Sequence, residues 1–170
     1  MKRIFVICLA LVALVWGGIF FYSKVTVRRI SPIHSGTKTV DFILGTNNFN
    51  TYSLASLTEK YSIVLSFLDA SSKSARVKKI TTKTVPAFFK GKAVLWFTIT
   101  HEGAYAIIEE QTGNLPLLYK TFYSNIPAFY SFQNYPAFTV SDRNGIITLL
   151  YIGYSPTFML DIKRELKRLF

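Results

Sequence analysis

The stretch that most constrains the fold is residues 62–75, Ser-Ile-Val-Leu-Ser-Phe-Leu-Asp-Ala-Ser-Ser-Lys-Ser-Ala. Its apolar run, 63–68, reads as a buried strand. A small polar turn ends the run, and helix-forming residues follow over 74–79. A buried strand running into a helix N-terminus places the first helical residues at the carboxyl edge of a sheet. That edge is where α/β proteins usually carry their chemistry. The turn here holds serines, a lysine and an alanine, with no cysteine, histidine or paired acid.

The N-terminus has a different character. Lys2 and Arg3 precede an uncharged apolar stretch, 4–22. At 1.5 Å per residue this makes roughly 28 Å of helix, enough for a bilayer core of about 30 Å. Trp16 and Tyr22 suit the headgroup region near its far end. No Ala-x-Ala pattern follows, so the expectation is an uncleaved transmembrane anchor over 1–23. Residues 24–39 then read as a basic tether able to lie along anionic lipid headgroups. The globular part covers 40–170. Basic residues ahead of the apolar core favour a cytoplasmic N-terminus and an extracytoplasmic domain in the cell membrane. Cys8, the single cysteine, sits inside the apolar run. It follows the bulky Ile7, which does not suit lipidation, and reads as a small buried hydrophobe.

Within the globular part, Val40-Asp41-Phe42-Ile43-Leu44 is a strand candidate and 93–99 a second buried strand. The helix after the central turn is expected to end or kink between Ile80 and Pro86, given Thr81, Thr82, Thr84 and the proline. Residues 103–111 read as a helix with Gly113 past its end. Asn125 and Pro127 open a short helix to about Ser131. Residues 135–140 and 146–152 flank an Asn144-Gly145 turn and form a hairpin. Ser155 and Pro156 start a last helix with Met159, Ile162, Leu166 and Leu169 on one face and a basic outer face. The order implies an α/β fold with mixed strand directions.

Chemistry-bearing residues are few. His34 is isolated in the tether. His101, Glu102, Glu109 and Glu110 lack ligand spacing and read as a solvated surface. The net charge of +11 favours anionic partners or a self-repelling solvated surface. No nucleic-acid motif accompanies it.

Over residues 40–169 the chain resembles the membrane-anchored, extracytoplasmic thioredoxin-like proteins. These include the oxidoreductases of cytochrome c maturation and their alkyl-hydroperoxide-reductase-like relatives. Val40-Asp41-Phe42 resembles their Pro-Asp-Phe opening, and residues 52–60 their Ser-Leu lead-in. Residues 63–67 match the strand before the active site. Asn114-Leu115-Pro116-Leu117-Leu118 resembles a later Phe-Pro-Val-Leu element. Residues 130–136 resemble the segment that ends in the family's cis-proline. Residues 142–147 resemble its Asp-x-x-Gly-x-Ile hairpin, and Gly153-Tyr154 its closing turn. The resemblance implies a thioredoxin-like mixed sheet flanked by helices.

The departure lies at the Cys-x-x-Cys pair, which falls on Ser72 and Ala75. A serine hydroxyl cannot form the mixed disulfide of thiol exchange, so oxidoreductase and thiol-peroxidase chemistry are excluded on this reading. No catalytic residue, cofactor or metal is implied. The functional expectation is a redox-inactive domain that binds a protein or peptide along Ser71, Ser72, Lys73, Tyr135 and Pro136. The alternatives are a non-redox enzyme or anion-binding protein using the helix N-terminus at Ser72 and Lys73, and a structural role at the membrane surface. If Ser72 is not a nucleophile, it caps that helix.

Overall fold

The computed structural model describes residues 34–45, 51–115, 118–122 and 125–169. The expected anchor, and the tether up to residue 33, lie outside the described residues. Among the described residues no helix is long and apolar enough to cross a membrane.

The strands are β1 (Ile43–Gly45), β2 (Thr51–Ser53), β3 (Ser62–Leu68), β4 (Val94–Glu102), β5 (Tyr105–Glu110), β6 (Leu118–Phe122), β7 (Ala137–Ser141) and β8 (Ile147–Ile152). The helices are α1 (Leu54–Thr58), α2 (Ser72–Phe89) and α3 (Phe158–Arg168), with a 3-10 turn at Ala128–Tyr130. Six strands form one mixed sheet in the order β6-β5-β4-β3-β7-β8, and β1 pairs with β2 in a separate ribbon. β3 and β4 are parallel, joined by α2 as a crossover helix. β7 runs antiparallel to β3, with Ala137 opposite Phe67.

β3 is buried along its whole length, as its unbroken apolar run requires of a strand covered on both faces. Alternate residues serve the two sides. Val64, Leu68, Trp96, Phe138 and Val140 pack with Val77, Val85 and Phe89 of α2 and Phe158, Met159, Ile162 and Leu166 of α3. Ile63, Leu65, Phe67, Leu95, Phe97 and Ile99 pack with Phe42, Leu44, Leu54, Leu57, Ile126, Tyr130 and Phe132. Each fully buried side chain of this size contributes about 1.5–3 kcal/mol of apolar transfer.

Four expectations are corrected. First, α2 does not stop before Pro86; it continues to Phe89 with the proline inside it. Thr81 Oγ1 donates to the Val77 carbonyl at 3.1 Å and Thr84 Oγ1 to the Ile80 carbonyl at 2.8 Å. These bonds accommodate the threonines, while the buried Val85 and Phe89 anchor the last turn on the sheet. Packing here outweighs a cost of about 3 kcal/mol for an interior proline.

Second, residues 103–111 are not a helix. β5 pairs antiparallel with β4, Glu102 opposite Tyr105, through a two-residue turn. Gly103 supplies its positive φ of 61°. Ala106 and Ile108 are buried in the sheet core, which is strand alternation. Glu110 binds the loop that follows: its carboxylate accepts from the backbone N–H groups of Thr112 and Gly113 at 2.7 and 2.9 Å.

Third, the last helix begins at Phe158, after Thr157, rather than at Pro156. Ser155 Oγ accepts from the Thr157 N–H instead of capping the helix proper. Fourth, Asn125 does not cap the 3-10 turn. Its amide donates to Thr121 Oγ1 at 2.8 Å, and Pro127 holds the cap position without a side-chain bond.

Candidate functional site

The carboxyl end of β3 and the amino end of β7 lie side by side. Since Phe67 pairs with Ala137, Pro136 falls beside Leu68 at the start of the turn into α2. The Tyr135–Pro136 bond is cis. The Pro136 carbonyl accepts from the Gly153 N–H at 2.7 Å, which ties the proline to the end of β8. Tyr135 packs against the core cluster that holds Phe67 and Tyr130. The fold therefore brings the proposed groove residues to one end of the sheet.

The turn itself is organised by Asp69. Its Oδ1 accepts from the Ser71 and Ser74 hydroxyls, each at 2.5 Å, and from the Ser71 N–H at 3.2 Å. Ser71 is the cap of α2, because its hydroxyl accepts from the Ser74 N–H. The Asp69 N–H in turn donates to Ser74 Oγ at 3.2 Å. Burial pushes the Asp69 carboxyl up, and the hydrogen bonds from Ser71 and Ser74 outweigh it, leaving the group below its ordinary range. An acid held that way is a poor proton acceptor at neutral pH.

The cap expected at Ser72 is thus at Ser71, one residue earlier. Ser72 is the first helical residue and is exposed, as are Lys73 and Ala75. The side chains brought together are Ser71 and Ser74, also three residues apart, with hydroxyls 3.3 Å from each other. Ser74 is buried. Sequence reasoning passed over this pair and Asp69. The available signal was an acid two residues before a serine at the start of a helix, a combination that supplies N-terminal acceptors.

Beneath the turn, β3 contributes Ser66. Its hydroxyl accepts from Trp96 Nε1 at 3.1 Å and lies 3.0 Å from Thr98 Oγ1. The centre of the sheet is therefore polar but uncharged at this level. His101 is the penultimate residue of β4, near the same edge, and its Nε2 lies 2.7 Å from the Gly103 carbonyl. No group of three or more His, Cys, Asp or Glu residues is placed to hold a metal ion among the described residues.

No protein-family model matches the chain, and no curated protein matches it. Solved structures do. A protein named as thiol:disulfide interchange protein DsbE, from Chlorobium tepidum, superposes with a TM-score of 0.59 at 18% identity, covering 81% of this chain and 98% of its own. A hypothetical protein of Sinorhizobium meliloti gives 0.59 at 16% identity, with 81% and 84% covered. The exposed lipoprotein thioredoxin of Streptococcus pneumoniae gives 0.53 at 17% identity, with 76% and 100% covered. At such identities the likeness shows the fold and nothing finer: the chain has a thioredoxin-like fold, a mixed sheet flanked by helices, which it shares with thiol:disulfide oxidoreductases.

Proposed function

We propose that this chain is a membrane-anchored, extracytoplasmic thioredoxin-like domain that is redox-inactive and binds a protein or peptide partner beside Pro136. The observation that carries the reading is the turn at Asp69, Ser71 and Ser74. It keeps a helix start next to a cis-proline, yet the hydroxyls gathered there, Ser71 and Ser74, are tied to one carboxylate, and Ser72 and Ala75, on which the Cys-x-x-Cys pair falls, carry no thiol. Residues 34–169 contain no cysteine, and thiol exchange needs a thiolate. An extended peptide pairing with backbone at this edge needs no thiol. Lys73 is exposed at the rim and suits a partner with acidic residues.

The alternative, an anion site or non-redox enzyme at Ser72 and Lys73, has Asp69 against it. A free helix N-terminus attracts anions, but here the chain's own carboxylate already accepts from the capping residue.

The test is affinity capture from a detergent extract with the full chain and with Tyr135→Asp. The expected result is a partner retained by the native chain and lost by the variant. Identical partners for both would overturn the groove, and turnover of phosphate or ester substrates abolished by Lys73→Ala would favour the alternative.

A further inference from the structure

α2 and α3 cover the same side of the sheet, and the sides they turn away from it are strongly basic. α2 carries Lys73, Arg76, Lys78, Lys79 and Lys83 and has no acidic residue. α3 carries Lys163, Arg164, Lys167 and Arg168 against Asp161 and Glu165. Those two acids are engaged within the helix: Arg168 meets Glu165 at 2.5 Å, and Arg164 lies 4.0 Å from Asp161. No lysine of α2 has an ion-pair partner among the described residues. The layer therefore carries a net charge of about seven, most of the chain's positive excess.

The pattern is not that of a merely solvated face. Ala75, Lys78, Lys79, Thr82 and Lys83 recur at helical spacing and line a shallow depression on α2 with an apolar floor. Lysine stems can cover apolar surface while their ammonium groups reach anions. Two large hydrophobes stand exposed in the same layer, Phe88 at 47% and Leu160 at 61%. Lys163 Nζ lies 3.1 Å above the Phe88 ring, so a cation and an apolar ring are presented together where the two helices meet. Basic groups flanking exposed aromatic and aliphatic side chains are the composition of an interfacial surface.

We infer that the outer face of α2 and α3 rests on an anionic phospholipid surface. Charge complementarity selects the occupant, and each lysine or arginine near such a surface adds to the attraction. The path of the chain agrees. Residues 35–39 join the sheet at the start of β8, where the Gly36 N–H donates to the Ile147 carbonyl at 2.7 Å. That is the end of the sheet away from Asp69 and Pro136, because Ile63 pairs with Ser141 there. From residue 22 to residue 35 an extended chain spans at most roughly 45 Å, so an anchor at residues 4–22 would hold the domain near a bilayer whichever face it presents. The inference rests on that reading for proximity alone.

The experiment uses the full chain in nanodiscs of phosphatidylcholine with or without phosphatidylglycerol. Lysine acylation is mapped by mass spectrometry. The expected result is a fall of about tenfold in labelling of Lys78, Lys79, Lys83 and Lys167 in anionic discs, reversed by high salt. Lys120, on the edge strand β6, serves as the internal control and keeps its labelling. The triple variant Lys78→Glu, Lys79→Glu, Lys83→Glu, checked for an unchanged circular dichroism spectrum, loses protection at Lys167. Protection that is absent, equal in neutral discs, or retained in the triple variant overturns the inference. Resistance to carbonate extraction reports the anchor separately, and partner capture reports the groove.

Discussion

The two faces of the central sheet are covered in different ways. One lies under two regular helices, whose buried side chains repeat at helical spacing: Val77, Thr81, Val85 and Phe89 on α2, and Phe158, Met159, Ile162 and Leu166 on α3. The other lies under short pieces: α1, the β1-β2 ribbon and the segment from Ile126 to Phe132. Both covers bring aromatic rings to the sheet: under the helices Phe158 stacks on Phe138 with centroids 5.1 Å apart, and Phe138 meets Trp96 edge-on. Under the short pieces the rings come from separate segments and converge on Phe67 and Tyr130. Phe67 stacks on Tyr130 with centroids 5.3 Å apart and touches Phe132 at 5.0 Å. Tyr130 also meets Phe42 and Phe129 edge-on.

The sharpest way to break that contrast is truncation on each face. Phe67→Ala should cost about 3–5 kcal/mol, since it removes the ring on which Tyr130 and Phe132 rest. Val85→Ala, on the helical face, removes two methyl groups and should cost about 2 kcal/mol. Urea unfolding followed by Trp96 fluorescence reads both. Equal losses would mean that Phe67 carries no more of its face than one aliphatic anchor carries of the helical one.

A smaller effect separates the polar tie under the short segments from their packing. The Tyr130 hydroxyl donates to the Val40 carbonyl at 2.9 Å and accepts from the Val40 N–H at 3.1 Å. Burial pushes this phenol well above its ordinary range, so it stays neutral and keeps its proton for Val40. Tyr130→Phe keeps the ring and strands two backbone groups, which should cost about 1–3 kcal/mol. Amide exchange at Val40 should quicken in the same variant. A stability loss without faster exchange at Val40 would place the damage in ring packing instead.

The same contrast explains what was legible in the sequence. The 63–68 run, the Asn144-Gly145 turn and the amphipathic last helix each state their structure locally, through burial, turn chemistry and period. Pro86 and the neighbouring threonines misled because their local cost is outweighed by two buried anchors, Val85 and Phe89, which a local reading does not weigh. Tyr105-Ala106-Ile107-Ile108 fits helix or strand equally well over so few residues. Pairing with β4, a partner fixed only in three dimensions, decides it. The site was half legible. The sequence pattern points to the strand end and the family resemblance to Pro136, while the cap expected at Ser72 lies at Ser71. Which hydroxyl meets the Asp69 carboxylate depends on where the helix starts, and helix boundaries shift by a residue or two for small energies.

Asp69 supplies the finest test, because it joins the end of β3 to the start of the helical cover. Its carboxyl is below its ordinary range in the folded chain, so its hydrogen bonds favour the charged form. Their stabilisation is fully present above the unfolded value, about 3.9. It is lost as pH falls through the lower folded value. Asp69→Asn removes the charge and retains one acceptor. It should cost about 1–2 kcal/mol at pH 7, reduced from a fully buried pair by partial exposure. The gap between native and variant should close as the pH falls below the lowered folded value, where both carry a neutral side chain. A gap that stays constant with pH would show that Asp69 acts through shape alone. The serine pair would then be held by the helix start itself, as the cap geometry of Ser71 permits.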